Sequence, residues 1–170
     1  EELSEQQSES GQGAEMMEND PRGLAIVLTV MAEGGDYFEG SDLLREFNAA
    51  GFEAGKNGIY HSYLQDSSVR YSRDQVRHGS TPPLFSIGNV LKPGTFDQQQ
   101  IMNLRTAGII LFFHLPAEHA GKLSVENMAE TAHQLAVGLG GKVCDENRVT
   151  LTPHSLQRLR DQVYEFEYNL

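Results

Sequence analysis

Apolar residues recur along this chain with a period of two in some stretches and of three to four in others, and each period marks an element. Leu24–Ala32 alternates as a strand. Leu24, Ile26, Leu28 and Val30 share one face; Ala25, Val27, Thr29 and Met31 share the other. After a turn at 33–36, Ser41 is placed as an N-cap, with Leu43, Leu44, Phe47 and Ala50 as a helical stripe and Gly51 as the C′ residue. Residues 52–54 and 59–64 suit a second strand region broken by Gly55-Lys56-Asn57-Gly58, where Asn57-Gly58 fits either a turn or a bulge. Residues 65–82 are polar, carry Arg70, Arg73 and Arg77, and have no apolar period, which predicts a long loop.

The next strand opens at Leu84. Phe85, Ile87 and Leu91 fall on one face with Asn89 as its polar exception; Ser86, Gly88, Val90 and Lys92 fall on the other. Pro93-Gly94 then ends it, with Pro and Gly as the two central turn residues. Residues 96–104 suit a short helix. Gly108–Leu115 is the most apolar strand, with Ile109, Leu111, Phe113 and Leu115 opposed to Ile110, Phe112 and His114, and Pro116 stops it. Ser124 is placed as the cap of a helix whose stripe runs Val125, Met128, Ala129, Ala132, Leu135, Ala136 and Leu139, closed by Gly140-Gly141. Short strands at 142–144 and 149–151 follow. Thr152 caps a last helix with Pro153 at its first position and Leu156, Leu159, Val163 and Phe166 inward.

This order predicts an α+β two-layer sandwich, an antiparallel sheet backed by three helices. Single-striped helices cover one sheet face. The other face normally turns polar. Here it does not: Ala25 and Val27, Gly88 and Val90, and Ile110 and Phe112 stand on the second faces of three strands. A contiguous apolar patch on such a face marks an interaction site. Gly88 leaves a hollow in it, and a larger residue there is expected to plug the hollow without harming the strand.

Charge narrows the partner. The 170 residues carry a formal net charge of −11, but seven acids and no Lys or Arg fall within 1–20. That segment has little to bury, so 1–21 is expected to be a disordered acidic linker and 22–170 the folded domain. The domain itself is mildly acidic, with 17 acids against 13 bases, which disfavours nucleic acid; few aromatics on the open face disfavour a sheet that reads RNA. Cys144 is the single cysteine, so no internal disulfide forms. No stretch reaches the length of a membrane span. Catalytic patterns are poor: no phosphate-cradling loop, no nucleophile elbow, no dinucleotide fingerprint. His114 and His119 are five apart with Pro116 between them, which suits no metal site, and no cofactor is expected. His61 is expected to be structural, with no positioned carboxylate beside it.

Pro83-Leu84-Phe85-Ser86 and Asn89-Val90-Leu91-Lys92-Pro93-Gly94-Thr95-Phe96-Asp97 carry a specific resemblance. Collinear with them are Ala50-Gly51-Phe52, Ile59-Tyr60-His61, Gly108 with its strand to Pro116, Gly140 through Asp145, and Leu151-Thr152-Pro153. Over residues 22–168 the chain resembles the C-terminal, FtsZ-binding domain family of ZipA. The resemblance implies a split β-α-β fold and a non-enzymatic adaptor. Its open sheet face would bind the C-terminal tail of FtsZ, a tubulin-like polymerising GTPase, by mostly apolar contacts. It further implies a parent protein with an N-terminal inner-membrane anchor, a linker, and this domain in the cytoplasm as a monomer. Carried over residue by residue, the groove falls on Ala25, Asn57, Ile59, Gly88, Val90, Lys92, Ile110 and Phe112. Six of these lie on the second faces derived from alternation, which add Val27. The family often has larger side chains at Asn57 and Gly88, and a shorter turn at 65–82. A sandwich using the same patch as a ligand pocket or an enzyme site is the alternative; binding of an FtsZ-tail peptide discriminates the two.

Overall fold

Alternation and helical stripes both become burial in the computed structural model, which describes residues 22–64 and 82–169. The chain runs β1 (Leu24–Ala32), β2 (Phe38–Glu39), α1 (Gly40–Ala49), β3 (Glu53–Ala54), β4 (Tyr60–Ser62), β5 (Phe85–Asn89), a 3-10 turn (Ile101–Asn103), β6 (Arg105–Thr106), β7 (Gly108–Leu115), α2 (Gly121–Leu139), β8 (Gly141–Cys144) and α3 (Pro153–Tyr168). Six strands form one antiparallel sheet in the order β3-β4-β5-β7-β1-β8, while β2 and β6 pair separately. This is the α+β architecture that the pattern predicts. The linker expected at 1–21 and the loop arginines Arg70, Arg73 and Arg77 lie outside the described residues.

Helices sit on one face of the sheet. Ile26, Leu28 and Val30 of β1, Ile109 and Leu111 of β7 and Ile87 of β5 are fully buried against Leu43 and Phe47 of α1 and Met128, Ala132 and Leu135 of α2. Fully burying such a side chain contributes roughly 1.5–3 kcal/mol. A one-residue slip of β1 would put Ala25, Val27 and Thr29 in their place, so the register Leu28↔Leu111 is held by several such terms at once. Phe47 also gathers Tyr60, Phe52 and Phe96, with ring centroids 4.8, 5.6 and 5.7 Å away. The third helix contributes less. It buries Val163, keeps Leu159 and Phe166 partly buried, and packs chiefly on α2.

Several local expectations are corrected. Ser41 does not cap α1; the cap position is Glu39, without a side-chain bond. Ser124 does not cap α2. That helix begins at Gly121, whose N–H donates to Glu167 Oε1 at 2.9 Å, so a carboxylate from α3 satisfies the helix start. Ser124 is instead buried in the first turn, and its hydroxyl has no hydrogen-bond partner among the described residues. The helix expected at 96–104 is the 3-10 turn alone, and 149–151 contributes only the bridge Cys144↔Thr150. Thr152 does cap α3, in a reciprocal box with Ser155 and with Pro153 following.

The end of β5 differs most from the alternation pattern. The strand stops at Asn89, so Val90 and Lys92 are not strand positions. Leu91 is 53% exposed rather than in the core. The Lys92–Pro93 bond is cis, and Gly94 N–H donates to Leu91 O at 2.9 Å. Pro93 is therefore the second central residue of this turn, one place later than its expected position. Asn89, the polar exception, organises the corner: its Oδ1 accepts from Leu91 N at 3.0 Å and from Thr106 Oγ1 at 2.6 Å, and its N–H donates to Gly94 O at 3.0 Å.

Candidate functional site

Strand register arranges the open face in ranks, since directly paired residues share a face. One rank runs Val27–Phe112–Ser86–His61–Glu53 across β1, β7, β5, β4 and β3. The next holds Thr29, Ile110 and Gly88, with Ile59 against Gly88. Ala25 and His114 pair one step before Val27 and Phe112. The His114 ring stands 5.9 Å from Phe112, edge to face.

The expected site residues divide by depth. Ile110, Phe112, Ala25 and Val90 are half-buried and offer apolar surface; Val27 at 7% and Ile59 at 6% are buried. Asn57 and Lys92 are exposed in turns outside the strands. Where Ala25 and Val27 meet the turn Asp145-Glu146-Asn147, a depression of about 160 Å³ opens, with Arg158 at its side.

Gly88 does not leave the hollow that the strand pattern predicts. A Cβ there would lie 2.7 Å from the carbonyl oxygen of Gly94, 3.3 Å from Ile110 Cγ2 and 3.4 Å from Ile59 Cδ1. Glycine is present because another stretch of backbone folds over it.

Three polar residues on this face were not among the expected site residues. His61 Nδ1 and Ser86 Oγ are 2.7 Å apart. Glu53 stands directly across from His61, so the carboxylate partner judged absent from the sequence is supplied by hairpin pairing. Counting outward from the Gly55–Gly58 turn would have found it. Burial pushes the His61 imidazole below its ordinary range, with Glu53 acting in the opposite sense. Burial and the Glu53 charge together push the Tyr63 phenol up. Cys144 is buried, and its thiol is also pushed up by desolvation.

The helix layer carries two further clefts. One of about 450 Å³ lies between α2 and α3, edged by Lys122, Arg160 and the stacked pair Tyr164 and Tyr168. Another, about 700 Å³, lies where α2, β8 and the start of α3 meet, along Ala129, Val137, Val143 and Leu151. Among the described residues no cluster of three His, Cys, Asp or Glu could hold a metal, and no helix is long and apolar enough to cross a membrane.

The sequence was compared with known proteins. A family model described as "ZipA, C-terminal FtsZ-binding domain" matches residues 24–162. The cell division protein ZipA of Marinobacter nauticus is 35% identical over 142 residues, which is 84% of this chain and 39% of that protein. The cell division protein ZipA of Haemophilus ducreyi is 32% identical over 123 residues, 72% of this chain and 34% of that protein. The chain thus spans between a third and two fifths of the length of these curated relatives.

Proposed function

This chain belongs to the ZipA C-terminal FtsZ-binding domain family, and on that premise we propose that its open sheet face binds the C-terminal tail of FtsZ. The observation that carries this reading is the half-exposure of Ile110 and Phe112, with Ala25 on the neighbouring strand β1, on the face without helices. Apolar side chains held half-buried on a rigid sheet lose little entropy when a partner covers them, so their burial is retained as affinity. The bound tail lies on Phe112 and Ile110, with Val27, Ile59 and Gly88 as the support beneath and Asn57 and Lys92 at the rim.

The domain is then a non-enzymatic adaptor for the division ring. Its parent protein carries an N-terminal inner-membrane anchor and a linker, and this domain acts on the cytoplasmic side as a monomer. Attachment at one end and tail binding at the other tether and stabilise FtsZ filaments at the membrane. The test is titration of a fluorescent peptide of the FtsZ C-terminal tail. Saturable binding that Ile110→Asp abolishes in a folded variant supports the reading. Absence of binding, or binding altered only by substitutions lining the α2–α3 cleft, overturns it.

A further inference from the structure

The sheet ends on β1 for part of its length. β1 pairs with β7 from Leu24 to Met31, but with β8 only from Thr29 to Ala32. Residues 24–28 therefore have a strand on one side alone. Parity decides which backbone groups are left over. Ala32 N–H donates to Ala107 O at 2.8 Å on the β7 side, and antiparallel ladders alternate. Leu24, Ile26, Leu28 and Val30 thus turn their N–H and C=O toward β7, and Ala25, Val27, Thr29 and Met31 turn theirs the other way. Thr29 and Met31 meet Cys144 and Lys142 of β8 there. Ala25 and Val27 meet no strand, and among the described residues their main-chain groups have no hydrogen bond on that side. Val27 is only 7% exposed, and main-chain polar groups in so buried a residue are nearly always bonded. The depression of about 160 Å³ opens beside them, between the turn at 145–147 and Ser155, Arg158 and Gln162 of α3. It has room for several waters or for a short piece of chain.

We propose that this open edge of β1 is a second contact for the tail peptide: an extended segment of the peptide runs alongside Ala25 and Val27 and exchanges main-chain hydrogen bonds with them. This deepens the FtsZ-tail reading and rests on it. Three features select this occupant. Ala25 and Val27 belong to both surfaces, with side chains on the open face and main-chain groups on the edge. Pairing carries that face without interruption from Ser86 to Phe112 to Val27, so a peptide seated on Phe112 reaches the edge within about two strand spacings, roughly 10 Å. An extended backbone also offers donors and acceptors together, as the N–H and C=O groups of Ala25 and Val27 require, whereas a simple anion or cation would satisfy only half of them. Alternate side chains of the added segment then stand beside Ala25 and Val27 and lengthen the apolar surface, while those between turn toward α3.

The experiment is amide hydrogen exchange, read by NMR on the ¹⁵N-labelled domain, free and saturated with the FtsZ C-terminal tail peptide. Alternation supplies the control. Ile26 and Leu28 are bonded to β7 with or without peptide; Ala25 and Val27 gain a partner only in the complex. The expected result is that the Ala25 and Val27 amides exchange rapidly in the free domain and roughly tenfold or more slowly in the complex, a larger change than at Ile26 and Leu28. A second measurement uses tail peptides in which one backbone amide at a time is replaced by an ester, which keeps every side chain and removes one N–H. Esters at alternate positions of the segment along β1 are expected to weaken binding roughly fivefold, and those between to leave it unchanged. Amides of Ala25 and Val27 that are already slow in the free domain, or a slowing no larger than that of Ile26 and Leu28, overturn the edge contact. So does a series in which no ester weakens binding. In each of these outcomes, saturable binding that Phe112→Ala weakens still leaves the face standing. If wild type binds no peptide at all, edge and face fall together.

Discussion

Gly94 O occupies the space that a side chain on Gly88 would enter, 2.7 Å from the Cβ position. That carbonyl is also tied down, because it accepts from Asn89 N at 3.0 Å. A carbonyl held by the backbone cannot swing aside as a flexible side chain would. Gly88→Ala is therefore expected to destabilise by about 1–3 kcal/mol through overpacking, and Gly88→Leu by more. Chemical denaturation of the two variants checks this. A Gly88→Leu domain as stable as wild type would show that the Pro93-Gly94 turn yields readily.

Phe112 is the largest apolar side chain on the open face, half-buried between Ser86 and Val27 in its rank. Binding energy concentrates in such aromatic anchors. Phe112→Ala is expected to weaken tail binding by about 2 kcal/mol or more, roughly thirtyfold, while the domain still folds. Peptide titration and unfolding on one preparation separate the roles. Loss of the fold would assign Phe112 to the core, and unchanged affinity would remove it from the groove.

The faces of β1, β5 and β7 were legible because strand alternation is local: Ile26, Leu28 and Val30 bury wherever the chain pairs. Helix α2 was legible for the same reason, since its stripe repeats through Leu135. Its start was not legible. Glu167, 46 residues later, takes the N–H of Gly121, and no local pattern announces that bond. The end of β5 failed for another reason. Asn89 satisfies the turn through its side chain, so the strand stops before the alternation does and Leu91 faces outward. On the open face, apolar positions could be read one strand at a time. The Glu53–His61–Ser86 series needed the pairing of three strands, two of them short.

Ser124 offers a stability test remote from the open face. It is 1% exposed, and its hydroxyl has no partner among the described residues. A buried polar group without a hydrogen bond costs free energy, and Ser is also a weaker helix former than Ala. Ser124→Ala is expected to stabilise the domain by about 0.5–1.5 kcal/mol. Tail binding should be unchanged. A lower denaturation midpoint would mean that the hydroxyl is satisfied in solution, by water or by a shifted backbone carbonyl.

Lys92 sits exposed in the turn after β5, at the rim of the apolar surface. A charge pair formed there in water contributes at most about 1 kcal/mol, and salt screens it. Tail affinity is therefore expected to fall by only roughly fivefold or less as salt is raised. Lys92→Ala should slow association more than it shortens the life of the complex. Stopped-flow mixing across ionic strengths reads both. A fall of several orders of magnitude would mean that charge, rather than burial of Ile110 and Phe112, drives binding.

His61 links the site to stability through pH. Burial lowers its affinity for a proton in the folded domain, and the charge of Glu53 offsets only part of that effect. In the unfolded chain His61 titrates near its ordinary value of about 6.5. Below that pH the unfolded chain binds more protons at this position than the folded one, so stability rises with pH there. Conversely, His61 makes the domain lose stability as pH falls below about 6.5, until the folded imidazole itself takes up a proton and the loss levels off. The bond to Ser86 survives the change in another form. In the neutral ring the direction of this bond follows the tautomer, whereas in the protonated ring Nδ1 donates to Ser86 Oγ. His61→Gln keeps a polar group beside Ser86 and removes the titration. Melting temperatures of wild type and His61→Gln, measured from pH 7.5 down to about pH 5, should converge or cross as the pH falls, because only wild type carries the His61 term. Parallel curves would show that His61 is as free to protonate in the folded domain as in the unfolded chain. A wild-type curve that gains on the variant in acid would mean that Glu53 outweighs burial.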